Sequence, residues 1–109
     1  MNIQDKIEEK LAALAEAHEV WAEAMRATAA IRPEYKMAFA AAYAQGEGTE
    51  KLRTAHAELK TAELFARKEA LEAEEKIWRS AIEAHRQEVS ALQTVLSAIT
   101  RTGSTVEWV

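Results

Sequence analysis

The chain has no cysteine, one proline and three glycines among its 109 residues, and aromatic residues make up only 6% of it. The absence of cysteine excludes disulfides, thiolate zinc sites, iron–sulfur clusters and cysteine nucleophiles. The length leaves room for one domain and excludes doubly wound sheets and large barrels. Because nearly half of the apolar residues are alanine, we expect a thin core that gains stability from a partner chain.

Long apolar runs and an excess of one charge are also lacking. No stretch approaches the ~20 apolar residues that a membrane span requires, and the first residues lack the basic and apolar regions of a signal peptide. We therefore expect a cytoplasmic protein without a membrane partner. The 14 basic and 18 acidic side chains are interleaved, which favours a protein partner over nucleic acid.

Helix-forming residues in heptad patterns dominate the chain, and they predict an all-α fold. An apolar stripe with alternating steps of four and three predicts a first helix over about 3–31. The stripe consists of Ile7, Leu11, Leu14, His18, Trp21, Met25 and Thr28.

Pro33 disfavours helical geometry in the residue before it, so we expect a break there and a short second helix over 33–45.

The region from Thr49 to Gly103 contains no internal glycine or proline, which predicts one uninterrupted helix over about 50–101. We expect the first two helices to lie back along it, in an antiparallel helical hairpin or three-helix bundle that forms a single domain over 1–109. Residues 104–109 are β-prone and predict an extended tail. The apolar stripe is expected to change face near residues 64–78, because Leu52, Leu59, Ala66 and Ala73 recur on one face and Trp78, His85 and Leu92 on its neighbour.

Catalytic and metal-binding patterns are missing. None of His18, His56 and His85 has a carboxylate three residues upstream, as a di-iron site would require, and no His-Glu-x-x-His occurs. The serines lack a Gly-x-Ser-x-Gly turn, and no glycine-rich loop could hold a phosphate. We therefore expect a protein that is not an enzyme and needs no metal or cofactor.

Two groups of aromatic residues are candidates for partner binding. Tyr35, Phe39 and Tyr43 form a ridge at i, i+4 and i+8 of the short helix. Trp108 and Val109 in the tail either fold back onto the bundle or dock on the edge of a partner's sheet. The heptad positions suggest a homodimer, with core or oligomer contacts made by Trp21, Trp78, His85 and Leu92.

A basic stripe offers an alternative function. Arg53, Lys60 and Arg67 recur at sevens, and Tyr35 or Tyr43 could stack on the bases of a single strand. Glu74 interrupts the stripe at the next heptad, so few phosphates would be neutralised. Nucleic acid is therefore a possible but less favoured partner.

The second half of the chain, from Lys51 to Thr100, contains the segments Leu-Arg-x-Ala-x-x-Glu-Leu, Glu-Glu-Lys-Ile-Trp-Arg-Ser and Leu-Gln-Thr-Val-Leu-Ser-Ala. In these segments it resembles small helical proteins of temperate-phage early regions, which are often encoded beside single-strand annealing recombination genes. It implies a non-enzymatic accessory protein that binds a protein or nucleoprotein complex, such as a host defence complex, and modulates or inhibits it. The alternatives are an accessory factor for single-stranded nucleic acid in recombination and a structural coiled-coil oligomer or assembly chaperone.

Overall fold

The computed structural model describes residues 2–102, so the predicted tail with Trp108 and Val109 lies outside the described residues. Three helices occupy this part of the chain: α1 (Ile3–Gln45), α2 (Glu50–Lys60) and α3 (Ala62–Thr102). Residues 2–102 contain no strand. The all-α fold with a long C-terminal helix is thus confirmed.

The helix ends follow from local side-chain hydrogen bonds. The Asn2 side chain accepts a hydrogen bond of 2.8 Å from the Asp5 backbone N–H, and the Thr49 hydroxyl accepts one of 3.3 Å from the Leu52 N–H. These bonds satisfy backbone donors that have no partner within a helix. In the turn between α1 and α2, Gly48 has a φ of 96°, a left-handed conformation that glycine adopts without strain.

The described residues form two compact units, and both long helices contribute to each of them. The described part of one unit comprises residues 2–21 and 77–102. In this unit Ile3 and Ile7 form a core cluster with Leu92, and partly buried apolar residues of α3 pack against it. These contacts join the start of α1 to the end of α3, so the two helices are antiparallel.

The other unit comprises Ala22–Lys76. Here the Arg32 guanidinium of α1 lies 3.3 Å from the Glu72 carboxylate of α3, while Tyr35 contacts Phe65. Residue numbers again rise along α1 as they fall along α3. Antiparallel hairpin packing therefore occurs in each unit, as the sequence predicted. The prediction of a single domain over 1–109 stays a prediction.

The expected break at Pro33 is wrong, because α1 continues through this residue to Gln45. Proline removes one backbone hydrogen bond and bends a helix away from its ring. Pro33 is exposed, while Ile31, two residues earlier, and Ala42, further along α1, are buried. Packing on both sides of Pro33 thus keeps one helix where local preference favoured two.

The expected uninterrupted helix over 50–101 is also wrong, because Thr61 interrupts it between α2 and α3. The Thr61 backbone has φ −107° and ψ 12°, and its hydroxyl donates a 2.7 Å hydrogen bond to the Ala57 carbonyl. A threonine hydroxyl that bonds the carbonyl four residues earlier bends helices. Thr61 is buried, so this bond also satisfies its hydroxyl inside the unit.

The seam of α1, meaning the positions that face the returning chain, differs from the predicted stripe at every second position. Ile7, Leu14, Trp21 and Thr28 lie on it as expected. Between them two alanines are buried and one lysine is half-buried, whereas Leu11 and Met25 are 44% and 41% exposed. The correction has a physical reason, since alanine lets two helix backbones approach more closely than leucine or methionine does. The intervening seam positions are Lys10, Ala17 and Ala24.

The seam of α2 and α3 does not change face near residues 64–78. Buried and half-buried positions continue in steps of four and three from Ala57 to Ile99. Polar residues occupy four of these positions, so the pattern is not visible from apolar residues alone: Thr61, Lys68, Glu75 and His85. The other predicted stripe, with Leu52, Leu59, Ala66 and Ala73, is exposed.

Candidate functional site

Three aromatic rings meet in the Ala22–Lys76 unit. Tyr35 and Phe39 lie one turn apart on α1 with ring centroids 6.1 Å apart, and Phe65 of α3 lies 5.7 Å from Tyr35. The planes of these pairs are tilted by 45° and 52°. Such tilted contacts stabilise aromatic pairs. Phe65 keeps 46% of its surface exposed, so the cluster remains open to a ligand.

Two adjoining hollows share the Tyr35 and Phe39 side chains, and we call them together the aromatic groove. One has a volume of about 500 Å³ and is lined by Arg32, Tyr35, Lys36, Phe39, Lys68 and Glu72. The other has a volume of about 450 Å³ and is lined by Tyr35, Phe39, Glu58, Thr61, Ala62 and Phe65. Each volume is large enough for a bulky side chain of a partner.

The Lys68 ammonium connects the rings to a network of charges. Its Nζ lies 5.5 Å from the Tyr35 ring centre and 5.2 Å from that of Phe65, within the range of cation–π attraction. It also donates hydrogen bonds to Glu72 at 2.8 Å and Glu69 at 3.0 Å. These bonds raise the pKa of Lys68 above its ordinary value, and the bond from Lys68 is the main cause that lowers the pKa of Glu72. Both groups are therefore charged at neutral pH.

The two hollows of the aromatic groove differ in the charge of their linings. The hollow that includes Lys68 has three cations and one carboxylate in its lining, whereas Glu58 is the one charged residue among the described residues that line the other hollow. Lys36 and Glu58 have no ion-pair partner within residues 2–102. A ligand that supplies an anion at one end and a cation at the other would complement these two charges.

Tyr43, the third residue of the predicted ridge, is not in the groove lining. Its ring is covered by the Arg53 guanidinium, whose carbon lies 5.9 Å from the ring centre. The Nε atom of Arg53 is buried without a hydrogen-bond partner in the described part of the chain. Of the predicted basic stripe, Lys60 and Arg67 are exposed. Arg53 is half-buried, and its guanidinium contacts the Tyr43 ring.

The predicted seam residues Trp21, Trp78, His85 and Leu92 all belong to the other unit, and each is buried or half-buried. Trp21 Nε1 and His85 Nδ1 are buried without a hydrogen-bond partner among residues 2–102. Trp21 also lines a hollow of about 190 Å³ with His18 and residues of α3.

Phe65, Lys68 and Glu72 complete the aromatic groove, and none of them was among the site residues predicted from the sequence. The pattern that could have identified this side of α2 and α3 is Glu58, Phe65 and Glu72 at sevens, next to the seam. It escaped notice because the seam itself contains polar residues there. The predicted Tyr35 and Phe39 do lie together in the groove, whereas Trp108 and Val109 lie outside the described residues.

The groove holds rings and charges suited to binding. Among residues 2–102 no three His, Asp or Glu side chains are grouped as metal ligands. No helix in the same range is long and apolar enough to cross a membrane.

Comparison with known proteins gives no assignment for this chain. No family model matches it, and neither the curated proteins nor the solved structures compared with it yield a match. The resemblance to phage early-region proteins therefore stays a prediction.

Proposed function

We propose that this chain is a non-enzymatic, helical protein-binding module that captures an apolar segment of a partner in the aromatic groove. The observation that carries the proposal is the open cluster of Tyr35, Phe39 and Phe65. Aromatic residues at the centre of an interface contribute a large share of binding energy because they bury much apolar area at little entropic cost. Neighbouring charges would then orient the partner.

Protein is favoured over single-stranded nucleic acid by the geometry of the rings. Bases stack on accessible flat faces, and cations nearby pair with phosphates. Here the three rings are tilted, Lys68 lies over two of them, and Arg53 covers Tyr43. Glu58, which has no ion-pair partner within residues 2–102, would repel a phosphate backbone from the second hollow.

The resemblance to phage accessory proteins supports a modulatory role for this binding. On this proposal the protein acts in the cytoplasm of a host cell, where it occupies a surface of a protein or nucleoprotein complex and inhibits or adapts it. A host defence complex is one such target.

The test is affinity capture with the tagged full chain from a lysate of the host cell, with and without nuclease. Phe65→Ala removes an exposed groove ring, while Met37→Ala on α1 removes a residue of similar size that is 73% exposed and outside the groove. We expect a partner that survives nuclease, is retained by Met37→Ala and is lost with Phe65→Ala. Equal capture by both variants would contradict binding of the partner in the groove. Loss of all partners on nuclease treatment would favour nucleic acid as the partner.

A second candidate function is self-assembly, which the exposed leucines of α2 favour. Leu52 and Leu59 are 59% and 78% exposed and lie two turns apart on one face of α2. Exposed leucines at this spacing are typical of a coiled-coil surface. Light scattering tests a homodimer: a dimer that becomes a monomer in Leu52→Glu/Leu59→Glu would support it, and a monomeric unmodified chain would reject it.

A further inference from the structure

We infer that the aromatic groove selects an amphipathic segment with opposite charges on the two sides of its apolar anchor. This inference rests on the proposed function and adds the chemistry of the partner. It starts from two charged residues without an ion-pair partner among residues 2–102, Lys36 in the lining of one hollow and Glu58 in the lining of the other.

The other charges of the groove are already neutralised. Glu72 bonds both Lys68 and Arg32, at 2.8 Å and 3.3 Å, and Lys68 also bonds Glu69. These groups fix one another and the Lys68 ammonium above the rings. Among the described lining residues, a ligand therefore meets apolar rings flanked by one unpaired cation in one hollow and one unpaired carboxylate in the other.

This arrangement discriminates among classes of ligand. A segment with carboxylates throughout would be attracted by Lys36 and repelled by Glu58, and a uniformly basic segment would meet the reverse. A segment with one carboxylate and one cation, separated by its anchor, gains from both ends. Helices docked in grooves present such anchors at i and i+4.

The direct test uses two synthetic helical peptides with the full-length protein. Each has about 15 residues, a length at which helices begin to be stable, and has Phe and Leu anchors at i and i+4. One has Glu a turn before the anchors and Lys a turn after them, and the second has these two charges exchanged. Amide chemical shifts of the isotopically labelled protein report the affinity and the place of binding.

We expect the two peptides to differ in affinity by about two- to fivefold, because each rim contact is a partly exposed ion pair. The shifts should centre on Tyr35, Phe39 and Phe65. In the double variant Lys36→Glu/Glu58→Lys the preference should reverse. Both positions are exposed, so the fold should be retained, and Lys51→Glu/Glu50→Lys on the exposed face of α2 is the matched control.

Equal affinities, or a preference unchanged by the double variant, would overturn the inference. Failure of either kind leaves the proposed function standing if Phe65→Ala still abolishes capture of a protein. Absence of any peptide shift in the groove, together with capture that is insensitive to Phe65→Ala, would reject both. Saturable shifts of the groove with a thymidine oligonucleotide, weakened by Lys36→Glu, would replace the peptide with a nucleic acid.

Discussion

Alanine at the seam determines how α1 packs in the unit that contains Trp21. Ala17 is 2% exposed, whereas the larger Leu11 is 44% exposed. A small residue lets the backbones approach, and the dispersion contacts of a close approach compensate for the small apolar area of each alanine. Burying a leucine at this position would require the helices to move apart.

We expect Ala17→Leu to destabilise the protein by about 1–3 kcal/mol, because extra methyl groups in a well-packed position force backbone shifts. Ala15→Leu is the matched control, since Ala15 is exposed and the change should fall within about 0.5 kcal/mol. Urea unfolding followed by circular dichroism measures both. Equal losses in the two variants would show that Ala17 is not a close-packed seam position.

At the scale of the element, tertiary packing stabilises helix α1 although its own sequence contains a residue that disfavours a helix. Pro33 lies inside the helix, and the interior is where proline is most unfavourable. Ile31 and Ala42 are buried on either side of it, so packing along the seam holds the two segments in one helix.

We expect Pro33→Ala to stabilise the protein by roughly 1–3 kcal/mol, because alanine restores a helical N–H and relieves the clash with the preceding turn. The gain is reduced by the greater freedom of the unfolded chain. Thermal unfolding followed by circular dichroism provides the test. A chain in which Pro33 began a new helix would instead be unchanged or destabilised, since proline is favourable at a first helical position.

An ion pair between Lys10 and Glu88 joins α1 to α3 and makes their association depend on pH. The hydrogen bond from Lys10 is the main cause that lowers the pKa of Glu88 below its ordinary value of 4.5. The folded state thus binds this proton less readily than the unfolded state. The contribution is present above the unfolded pKa and disappears as pH falls through the lower folded pKa.

We expect Glu88→Gln to lower the melting temperature at neutral pH and the difference from the unmodified chain to shrink at pH values below 4.5. Melting curves recorded from neutral pH to about pH 2 measure it. Glu8→Gln serves as a control, since Glu8 is exposed and has no ion pair within residues 2–102. A difference that grows with acidity would contradict the assignment.

At the scale of the whole molecule, both long helices pass through the two compact units. Unfolding one unit removes the helical continuation of the other, so the units should unfold together. The described tryptophans, Trp21 and Trp78, belong to one unit, while Tyr35 and Tyr43 belong to the other. Fluorescence can therefore follow the units separately.

Ile31 belongs to the unit with the tyrosines. We expect Ile31→Ala to lower the midpoint temperature of unfolding detected by tryptophan fluorescence as much as the midpoint detected by circular dichroism. Ile31 is 5% exposed, and removing its side chain should cost about 2–5 kcal/mol. The measurement uses a Trp108→Phe background, in which tryptophan fluorescence comes only from Trp21 and Trp78. A tryptophan transition that stays unchanged while circular dichroism becomes biphasic would show that the units unfold independently.

Composition and periodicity alone determined the helical class, the antiparallel pairing and part of the seams. Every second seam position of α1 recurs at steps of seven from Ile7 to Thr28, and this repeat can be read from the sequence without knowledge of the fold. They also identified Tyr35 and Phe39 of the groove. The tail residues Trp108 and Val109 lie outside the part that the structure describes.

Only the tertiary structure decided where the helices are interrupted and what completes the groove. Pro33 lies inside α1 because packing outweighs local preference, and the buried Thr61, whose hydroxyl bonds the Ala57 carbonyl, lies between α2 and α3. Lys68 contacts the Tyr35 ring and Glu72 pairs with Arg32 across the hairpin, and these partners are far apart in the sequence. Local rules describe neighbours along the chain, whereas ion pairs and ring contacts depend on which residues the fold brings together.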